Sequence, residues 1–220
     1  MFQDRADAGR RLAARLAAVH LDPTSLTVLA LPRGGVPVGF EIAQALGAPL
    51  EVLVVRKLGA PTQPELGLGA VAPGVKVLNE RLISQLGVSS EYLDEIVRRE
   101  TQEMTRRSAL YRQGLPALEL GGVTALLVDD GLATGVTARA AARSARLQGA
   151  ASVILAVPVC AAQTTHALRA EVDHLIALST PRNFEAVGLW YHTFEQTTDQ
   201  QVIELLRLAQ GENSQANAHS

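Results

Sequence analysis

The sequence contains one cysteine, Cys160, among 220 residues, so an intrachain disulfide is excluded. This usage is typical of a reducing compartment, and we expect a cytoplasmic location. No apolar run is long enough to cross a bilayer, and residues 1–11 lack the apolar core of a signal peptide. The 20 basic and 22 acidic residues are mixed along the chain and leave a net charge of −2. We therefore expect neither a nucleic-acid partner nor a membrane partner, and there is no Cys/His cluster of the zinc type.

The sequence does have enough apolar material for a sizeable core. Hydrophobic residues make up 47% of the chain. A chain of this length suits one large α/β domain with insertions, or one domain with a small subdomain. We assign residues 1–210 to a single domain and expect the polar residues 211–220 to form a disordered tail.

Residues 123–137 combine an apolar run, two acids and a loop with two glycines. The apolar run predicts a strand buried on both faces, as in a parallel sheet. In parallel sheets, ligands bind at the carboxyl ends of the strands, and a glycine loop that enters a helix offers free N–H groups to a phosphate. Asp129 and Asp130 would repel that phosphate, so they suit ribose hydroxyls and a cation. The pattern favours a ribose 5-phosphate ligand, and the alternative is an ordinary strand–turn–helix with solvated acids.

Residues 128–137, VDDGLATGVT, resemble the phosphoribosyl diphosphate (PRPP) motif of the type I phosphoribosyltransferases. The resemblance implies an α/β fold with a parallel-sheet, Rossmann-like core, a helical lid insertion and a C-terminal hood. It also implies that Asp129 and Asp130 are the catalytic acids and bind Mg²⁺, directly or through water. The residues that it implies for binding the 5-phosphate are Gly131, Leu132, Ala133, Thr134, Gly135 and Thr137.

A second glycine-containing turn, residues 31–37, follows the first predicted core strand. In the family this position holds the pyrophosphate loop, which often carries a non-proline cis peptide, here expected between Pro32 and Arg33. The resemblance implies that Arg33, Gly34 and Gly35 bind pyrophosphate. The alternative is a tight turn with an exposed arginine.

The interval before the central motif corresponds to the loop that closes over PRPP in the family. It opens with Arg56 and Lys57 at the end of the second predicted strand. A similar pair acts on pyrophosphate in the adenine-type enzymes, and the alternative is a solvated pair of cations. Residues 62–74 are rich in glycine and proline and predict a short strand or the start of a mobile lid. Two predicted helices follow, which we assign to a helical insertion at about residues 79–113.

Apolar periodicity and turn residues give the other elements. The predicted helices span residues 4–19, 36–46, 79–86, 91–112, 138–148, 163–170 and 200–210. The predicted strands span residues 26–31, 50–55, 76–78, 123–128, 152–159 and 172–178. A helix between the first two strands predicts a parallel crossover connection.

A C-terminal segment, residues 179–197, resembles the hood of the hypoxanthine-type enzymes through a proline, an aromatic residue and a Val-Gly pair. By this resemblance Phe184 stacks on the acceptor, while Val187 and Trp190 line the acceptor pocket. The alternative is core packing of a C-terminal aromatic cluster.

The resemblance as a whole predicts an Mg²⁺-dependent enzyme of nucleotide metabolism. It would transfer the 5-phosphoribosyl group of PRPP to a nitrogenous acceptor and release pyrophosphate. Two groups by which hypoxanthine-type enzymes recognise 6-oxopurines are absent, because Ala133 stands where they have an acid and residues 158–160 contain no lysine. The acceptor therefore stays open, as does self-association. The alternative is a regulatory or sensor protein that binds PRPP without turnover.

Overall fold

The computed structural model of the protein describes residues 1–19, 21–113 and 118–216. Its strands are β1 (Leu26–Ala30), β2 (Leu50–Val52), β3 (Arg56–Gly59), β4 (Gly67–Ala72), β5 (Val75–Leu78), β6 (Thr124–Val128), β7 (Ser152–Val159) and β8 (His174–Ser179). Its helices are α1 (Arg5–Ala17), α2 (Gly35–Leu46), α3 (Glu80–Leu86), α4 (Ser90–Tyr111), α5 (Val136–Leu147), α6 (Ala162–Leu168) and α7 (Asp199–Ala216). Short 3₁₀ helices span Pro23–Ser25 and Val187–Trp190.

Five parallel strands form the central sheet, in the order β2-β1-β6-β7-β8. The central strands β6 and β7 are almost entirely buried, because helices cover both faces of the sheet. Apolar side chains of α1, α2 and α7 pack on one face, and those of α5 and α6 pack on the other. The predicted parallel α/β fold is confirmed.

The register of the sheet sets the position of the two predicted ligand loops. Val128 at the end of β6 pairs with Ala30 at the end of β1. The N–H of Leu31 donates to the carbonyl oxygen of Val128 at 2.8 Å, so the chain leaves both strands at the same level. Residues 31–35 and 129–137 therefore meet at the carboxyl edge of the sheet, where ligands bind in this architecture.

A second, antiparallel sheet with the strand order β3-β4-β5 occupies the interval before β6. Leu58 and Leu68 of this sheet pack against Ile83 of α3 and Ile96 of α4. The two predicted helices of the insertion are confirmed. The glycine-rich stretch at residues 62–74, predicted as a short strand or a lid, supplies β4.

Arg56 and Lys57 begin β3, so the prediction that they end the second core strand is wrong. That strand, β2, stops at Val52. The apolar run continues to Val55, and because apolarity alone does not mark where a strand leaves its sheet, the sequence pattern merged the end of β2 with the link to β3.

The last helix is longer than predicted. Helix α7 runs to Ala216 and so includes part of the segment that the sequence analysis assigned to a tail, residues 211–220. Residues 217–220 of that predicted tail lie outside the described residues. Gln, Glu and Ala are good helix formers, and a polar composition does not by itself end a helix. Within the described ranges, no helix is both long enough and apolar enough to cross a membrane.

Candidate active site

The predicted phosphate loop, residues 131–137, joins β6 to α5. Gly135 adopts φ 70° and caps α5 without a side-chain hydrogen bond, so the first N–H groups of the helix have no side-chain cap. A Cβ added at Gly135 would lie 2.6 Å from Thr164 Cγ2, and the Thr164 hydroxyl donates to the carbonyl oxygen of Ala133. Helix α6 therefore supports the back of a loop whose N–H groups suit an anion. Thr164 carries no motif of its own, and the sequence reasoning missed it.

Leu132 anchors the loop to the sheet. Its N–H donates to the carbonyl oxygen of Val159, and its own carbonyl accepts from the N–H of Ala161, both at 2.9 Å. Its side chain is buried. Of the residues predicted to bind the 5-phosphate, Leu132 thus has its backbone N–H committed within the protein.

The two acids follow β6 directly. The N–H of Asp130 donates to Asp129 Oδ1 at 2.9 Å, and the Tyr191 hydroxyl donates to the Asp130 carbonyl oxygen at 2.5 Å. The guanidinium of Arg5 pairs with Asp130, with Nε 2.8 Å from Oδ2. Arg5 lies 125 positions from its partner, and nothing in the sequence pattern marked it as part of the site.

Burial disfavours the charge of both acids. It raises the pKa of Asp129 well above its usual value, and the neighbouring charge of Asp130 raises that pKa further. Burial also raises the pKa of Asp130, although the charge and hydrogen bond of Arg5 oppose the shift. A positive group placed beside these two acids would favour their charged forms, as Arg5 does.

The predicted pyrophosphate loop packs directly on the acids. The Pro32–Arg33 peptide is cis, as expected from the sequence. A Cβ added at Gly34 would overlap Asp130 Oδ2, and one added at Gly35 would lie 2.5 Å from the carbonyl oxygen of Val128. Both glycines are required for this close approach, which brings the two loops together.

Arg33 points toward the start of α7. Its Nη1 lies 3.5 Å from Asp199 Oδ1, and the same oxygen accepts a 2.6 Å hydrogen bond from the Tyr111 hydroxyl of α4. One quarter of the Arg33 side chain is exposed. Asp199 therefore pairs with the guanidinium of Arg33, and this guanidinium stays partly open to solvent.

Arg56 and Lys57 have different surroundings. Arg56 Nη2 lies 2.8 Å from Oε2 of Glu100, an almost buried acid on α4. Lys57 Nζ bonds to Glu65, whose side chain is fully exposed, at 2.9 Å. A Cβ added at Gly67 would lie 3.4 Å from Lys57 Cδ and 3.6 Å from Val136 Cγ1, so the stem of Lys57 passes near the phosphate loop. Arg56 is thus tied to α4, while Lys57 pairs with an exposed residue and its stem lies near the start of α5.

The predicted hood residues are only partly brought to the loops. A Cβ added at Gly131 would lie 2.6 Å from Val187 Cγ1 and 2.9 Å from Val159 Cγ1, so both valines cover the start of the phosphate loop. Trp190 packs in a cluster with Phe2, Ala8 and Tyr191. In the described part of the chain the paired aromatic rings are Phe2–Tyr191 and Tyr191–Phe194, and Phe184 is in neither pair.

A cavity of about 540 Å³ opens on the outer side of the phosphate loop. Thr134, Gly135 and Arg139 line it, together with residues of the second sheet and α6. Arg139 Nε is buried and has no hydrogen-bond partner among the described residues. Arg139 thus adds a positive group close to the loop.

Among the described residues, the acid pair Asp129 and Asp130 is the group whose fit to a metal ion can be tested. The described residues contain no group of three or more His, Cys, Asp or Glu side chains arranged for a metal ion. Mg²⁺ commonly takes one or two carboxylates and completes its shell with substrate phosphates and water. Asp129 and Asp130 offer two adjacent carboxyl groups, which fit a cation that arrives with a diphosphate ligand.

A parallel sheet with an anion loop, two acids and a glycine loop at one edge defines the class of phosphoribosyltransferase-like α/β proteins. The family model described as "Phosphoribosyl transferase domain" matches residues 2–191. The chain belongs to this family.

Similar proteins agree with this assignment. Two Mycobacterium tuberculosis proteins, each provisionally named a phosphoribosyl transferase, are 45% identical over 219 residues, which is 99% of this chain and 49% of theirs. The chain thus spans about half the length of these curated relatives. The crystal structure of TT1426 from Thermus thermophilus is 39% identical with a TM-score of 0.77, covering 94% of this chain and 97% of that one. The structure of AQ2163 from Aquifex aeolicus shares the fold, with 11% identity, a TM-score of 0.52 and coverage of 92% and 84%.

Proposed function

We propose that this protein is a phosphoribosyltransferase that binds Mg–PRPP and transfers its 5-phosphoribosyl group to a nitrogenous acceptor, with release of pyrophosphate. One observation carries the proposal. The anion loop at residues 131–137 and the glycine loop at residues 31–35 meet at one sheet edge, with Asp130 in contact with Gly34 between them. PRPP has the matching sequence of groups: a phosphate, a diol and a diphosphate.

The proposed reaction follows from where each group of PRPP would lie against these loops. The 5-phosphate would lie at the uncapped start of α5, the ribose hydroxyls at Asp129 and Asp130, and the diphosphate at Arg33 and Lys57. The bond from ribose C1 to the diphosphate oxygen breaks, a bond from C1 to the acceptor nitrogen forms, and the nitrogen loses its proton to solvent. The acids would stabilise positive charge that develops on the ribose ring, and fixed loops would supply orientation. Mg²⁺, when bound, would neutralise charge on the leaving diphosphate.

A second candidate is a PRPP-binding sensor without turnover. It is favoured by Ala133, which offers no acid or base to the acceptor, and by the internal ion pairs of Arg33 and Arg56. The two candidates share the PRPP site and differ in whether pyrophosphate is released.

The test is calorimetry with PRPP and Mg²⁺, followed by a pyrophosphate-release assay with purines, pyrimidines, amines and ammonia as acceptors. Binding with acceptor-dependent release supports the enzyme. Binding without release from any acceptor supports the sensor. If PRPP does not bind, both candidates are wrong.

The variant Thr134→Val tests, in the same calorimetry, whether residues 131–137 bind the 5-phosphate of PRPP. We expect PRPP binding to weaken by about 1–3 kcal/mol, because a phosphate oxygen loses a hydroxyl donor. Thr105→Val is the matched control, since Thr105 lies on the exposed side of α4 and bonds only to its own helix, at Thr101. Unchanged PRPP affinity in Thr134→Val would contradict the assignment of the loop.

A further inference from the structure

The first residue of α1 reaches into the candidate site. Arg5 Nε donates to Asp130 Oδ2 at 2.8 Å, and the exposed fractions of the two side chains are only 12% and 14%. Because a guanidinium stays charged at any ordinary pH, Arg5 places a permanent positive charge beside Asp130 in a nearly dry contact. Its partner is one of the two acids that we assign to the ribose.

The rest of the guanidinium binds the end of the hood segment. Arg5 Nη1 donates to the carbonyl oxygen of Glu195 at 2.6 Å. Its Cζ lies 3.9 Å from the centre of the Phe194 ring, a cation–π contact. A planar fork with donors in fixed directions can satisfy all three partners at once, whereas a single ammonium cannot.

These contacts fix the Asp130 carboxylate from several sides. Gly34 lies against the oxygen that Arg5 binds. The Tyr191 hydroxyl and the Asp129 carboxylate hold the backbone of Asp130. The direct ion pair of Arg5 is with Asp130, and among the described residues no salt bridge joins a cation to Asp129.

We propose that Arg5 is a positioning residue for PRPP binding, which holds Asp130 between the pyrophosphate loop and the hood and leaves Asp129 as the acid free to bind the ribose hydroxyls or their cation. This proposal rests on the proposed function. It makes α1, which lies outside both ligand loops, a part of the site. It also assigns different roles to two adjacent acids that the sequence motif treats alike.

The test compares Arg5→Gln, Arg5→Lys and the control Arg11→Gln. Arg11 lies on the same helix and also has an acidic and an aromatic partner, Asp7 and Phe2, but it is mostly exposed and away from the loops. Calorimetry with Mg–PRPP should show affinity about tenfold or more weaker in Arg5→Gln, since a charged hydrogen bond that positions the site is lost. Arg5→Lys should recover part of that loss, and Arg11→Gln should stay within about twofold of wild type.

A double-mutant cycle separates positioning from general loss of structure. Arg5→Gln combined with Asp130→Asn should bind PRPP about as well as the weaker single variant, because both changes break the same pair. Arg5→Gln combined with Asp129→Asn should show the product of the two single losses. Melting temperatures of all variants report folding, and if Arg5→Gln does not fold, the comparison rests on Arg5→Lys.

Any one of three results would overturn the proposal. They are wild-type PRPP affinity in the folded Arg5 variants, an equal loss of PRPP affinity in Arg11→Gln, and additive losses of affinity from the Arg5 and Asp130 changes. If the wild type itself does not bind PRPP, the proposed function fails and this inference fails with it. The two failures are therefore distinguished by the wild-type titration.

Discussion

At the scale of single residues, the acids of the site lie in surroundings that disfavour their charge. Burial raises the pKa of both Asp129 and Asp130; the charge of Arg5 opposes the shift at both acids, and at Asp130 its hydrogen bond opposes it as well. A carboxylate of this kind contributes to ligand binding at the expense of the stability of the free protein.

Asp129→Asn should stabilise the ligand-free protein at neutral pH by about 0.5–2 kcal/mol, because the amide avoids a buried charge. The folded-state pKa lies above the unfolded value, so folding disfavours the carboxylate at any pH above the unfolded pKa. The gain should therefore shrink as the pH falls toward about 4, where the side chain is protonated in both states. Scanning calorimetry across this pH range measures the gain in stability. The same variant should also lose the use of PRPP and the Mg²⁺ dependence of that use.

Asp173→Asn is the control with the opposite sign. A hydrogen bond from the Val153 N–H and other partners lower the pKa of Asp173, so its carboxylate stabilises the fold above the unfolded pKa. That substitution should destabilise the protein at neutral pH, and the loss should fade as the pH falls through the lowered pKa. If the two variants shift stability in the same direction at neutral pH, the reasoning for Asp129 is wrong.

Sequence patterns predicted which residues form the two loops of the site, and they missed most of the residues that contact those loops. The segments before Asp129 and before Pro32 are local apolar runs followed by glycine turns, and such patterns are visible within about ten residues. The contacts of Arg5 with Asp130, Arg33 with Asp199 and Thr164 with Ala133 join distant parts of the chain. Without a register for the whole fold, no periodicity identifies such pairs.

At the scale of elements, one nearly buried acid links helix α4 to the second sheet. Glu100 pairs with Arg56 of β3, and with Arg99 of its own helix at 3.2 Å. Elsewhere on α4, Glu95 forms an exposed pair with Arg98, and Glu103 pairs with Arg106 and Arg107. Glu95 is exposed and Glu100 is nearly buried, and nothing in the sequence pattern distinguishes these two glutamates of one helix.

Glu100→Gln should lower the free energy of unfolding by about 1–3 kcal/mol, because two guanidinium groups lose a shared carboxylate. Glu95→Gln should change it by less than about 0.5 kcal/mol, since that pair is exposed. Chemical denaturation of both variants makes the comparison. Equal effects would mean that α4 is not held to the second sheet through Glu100.

Tyr111→Phe tests the junction of α4, α7 and the pyrophosphate loop. Removing the hydroxyl leaves Asp199 without its 2.6 Å hydrogen bond and should cost about 1–2 kcal/mol at neutral pH. Burial and the neighbouring Asp199 raise the pKa of Tyr111 from 10.0 to about 12. The stabilisation by the hydroxyl is thus complete below pH 10 and is lost as the pH rises toward 12. Denaturation of both proteins at neutral and alkaline pH should show the difference between them shrinking, and a constant difference would contradict this account.

At the scale of the whole molecule, the site draws on both ends of the described chain. Arg5 comes from the first helix, the acids from the middle of the sheet, and Asp199 from the start of the last helix. The family match over residues 2–191 spans most of these parts. Because the chain covers 49% of its curated relatives, an acceptor for the proposed reaction has to be inferred from the surfaces of this chain.

Those surfaces predict that hypoxanthine and guanine are poor acceptors. Val159 and Val187 cover Gly131, so the wall beside the phosphate loop is apolar where a 6-oxopurine would need a donor for its oxygen. Ala133 offers no acid or base, and a positioned proton-transfer group typically contributes about 10²–10⁴-fold to a rate. A pocket gains its selectivity from the bond it makes, so these bases should have no advantage over other flat rings.

Steady-state assays with saturating Mg–PRPP should give kcat/KM for both bases below about 10⁴ M⁻¹s⁻¹, the lower end of the usual enzyme range. Values at or above that range would mean that other residues, for instance in the second sheet or α4, supply the missing donor and base.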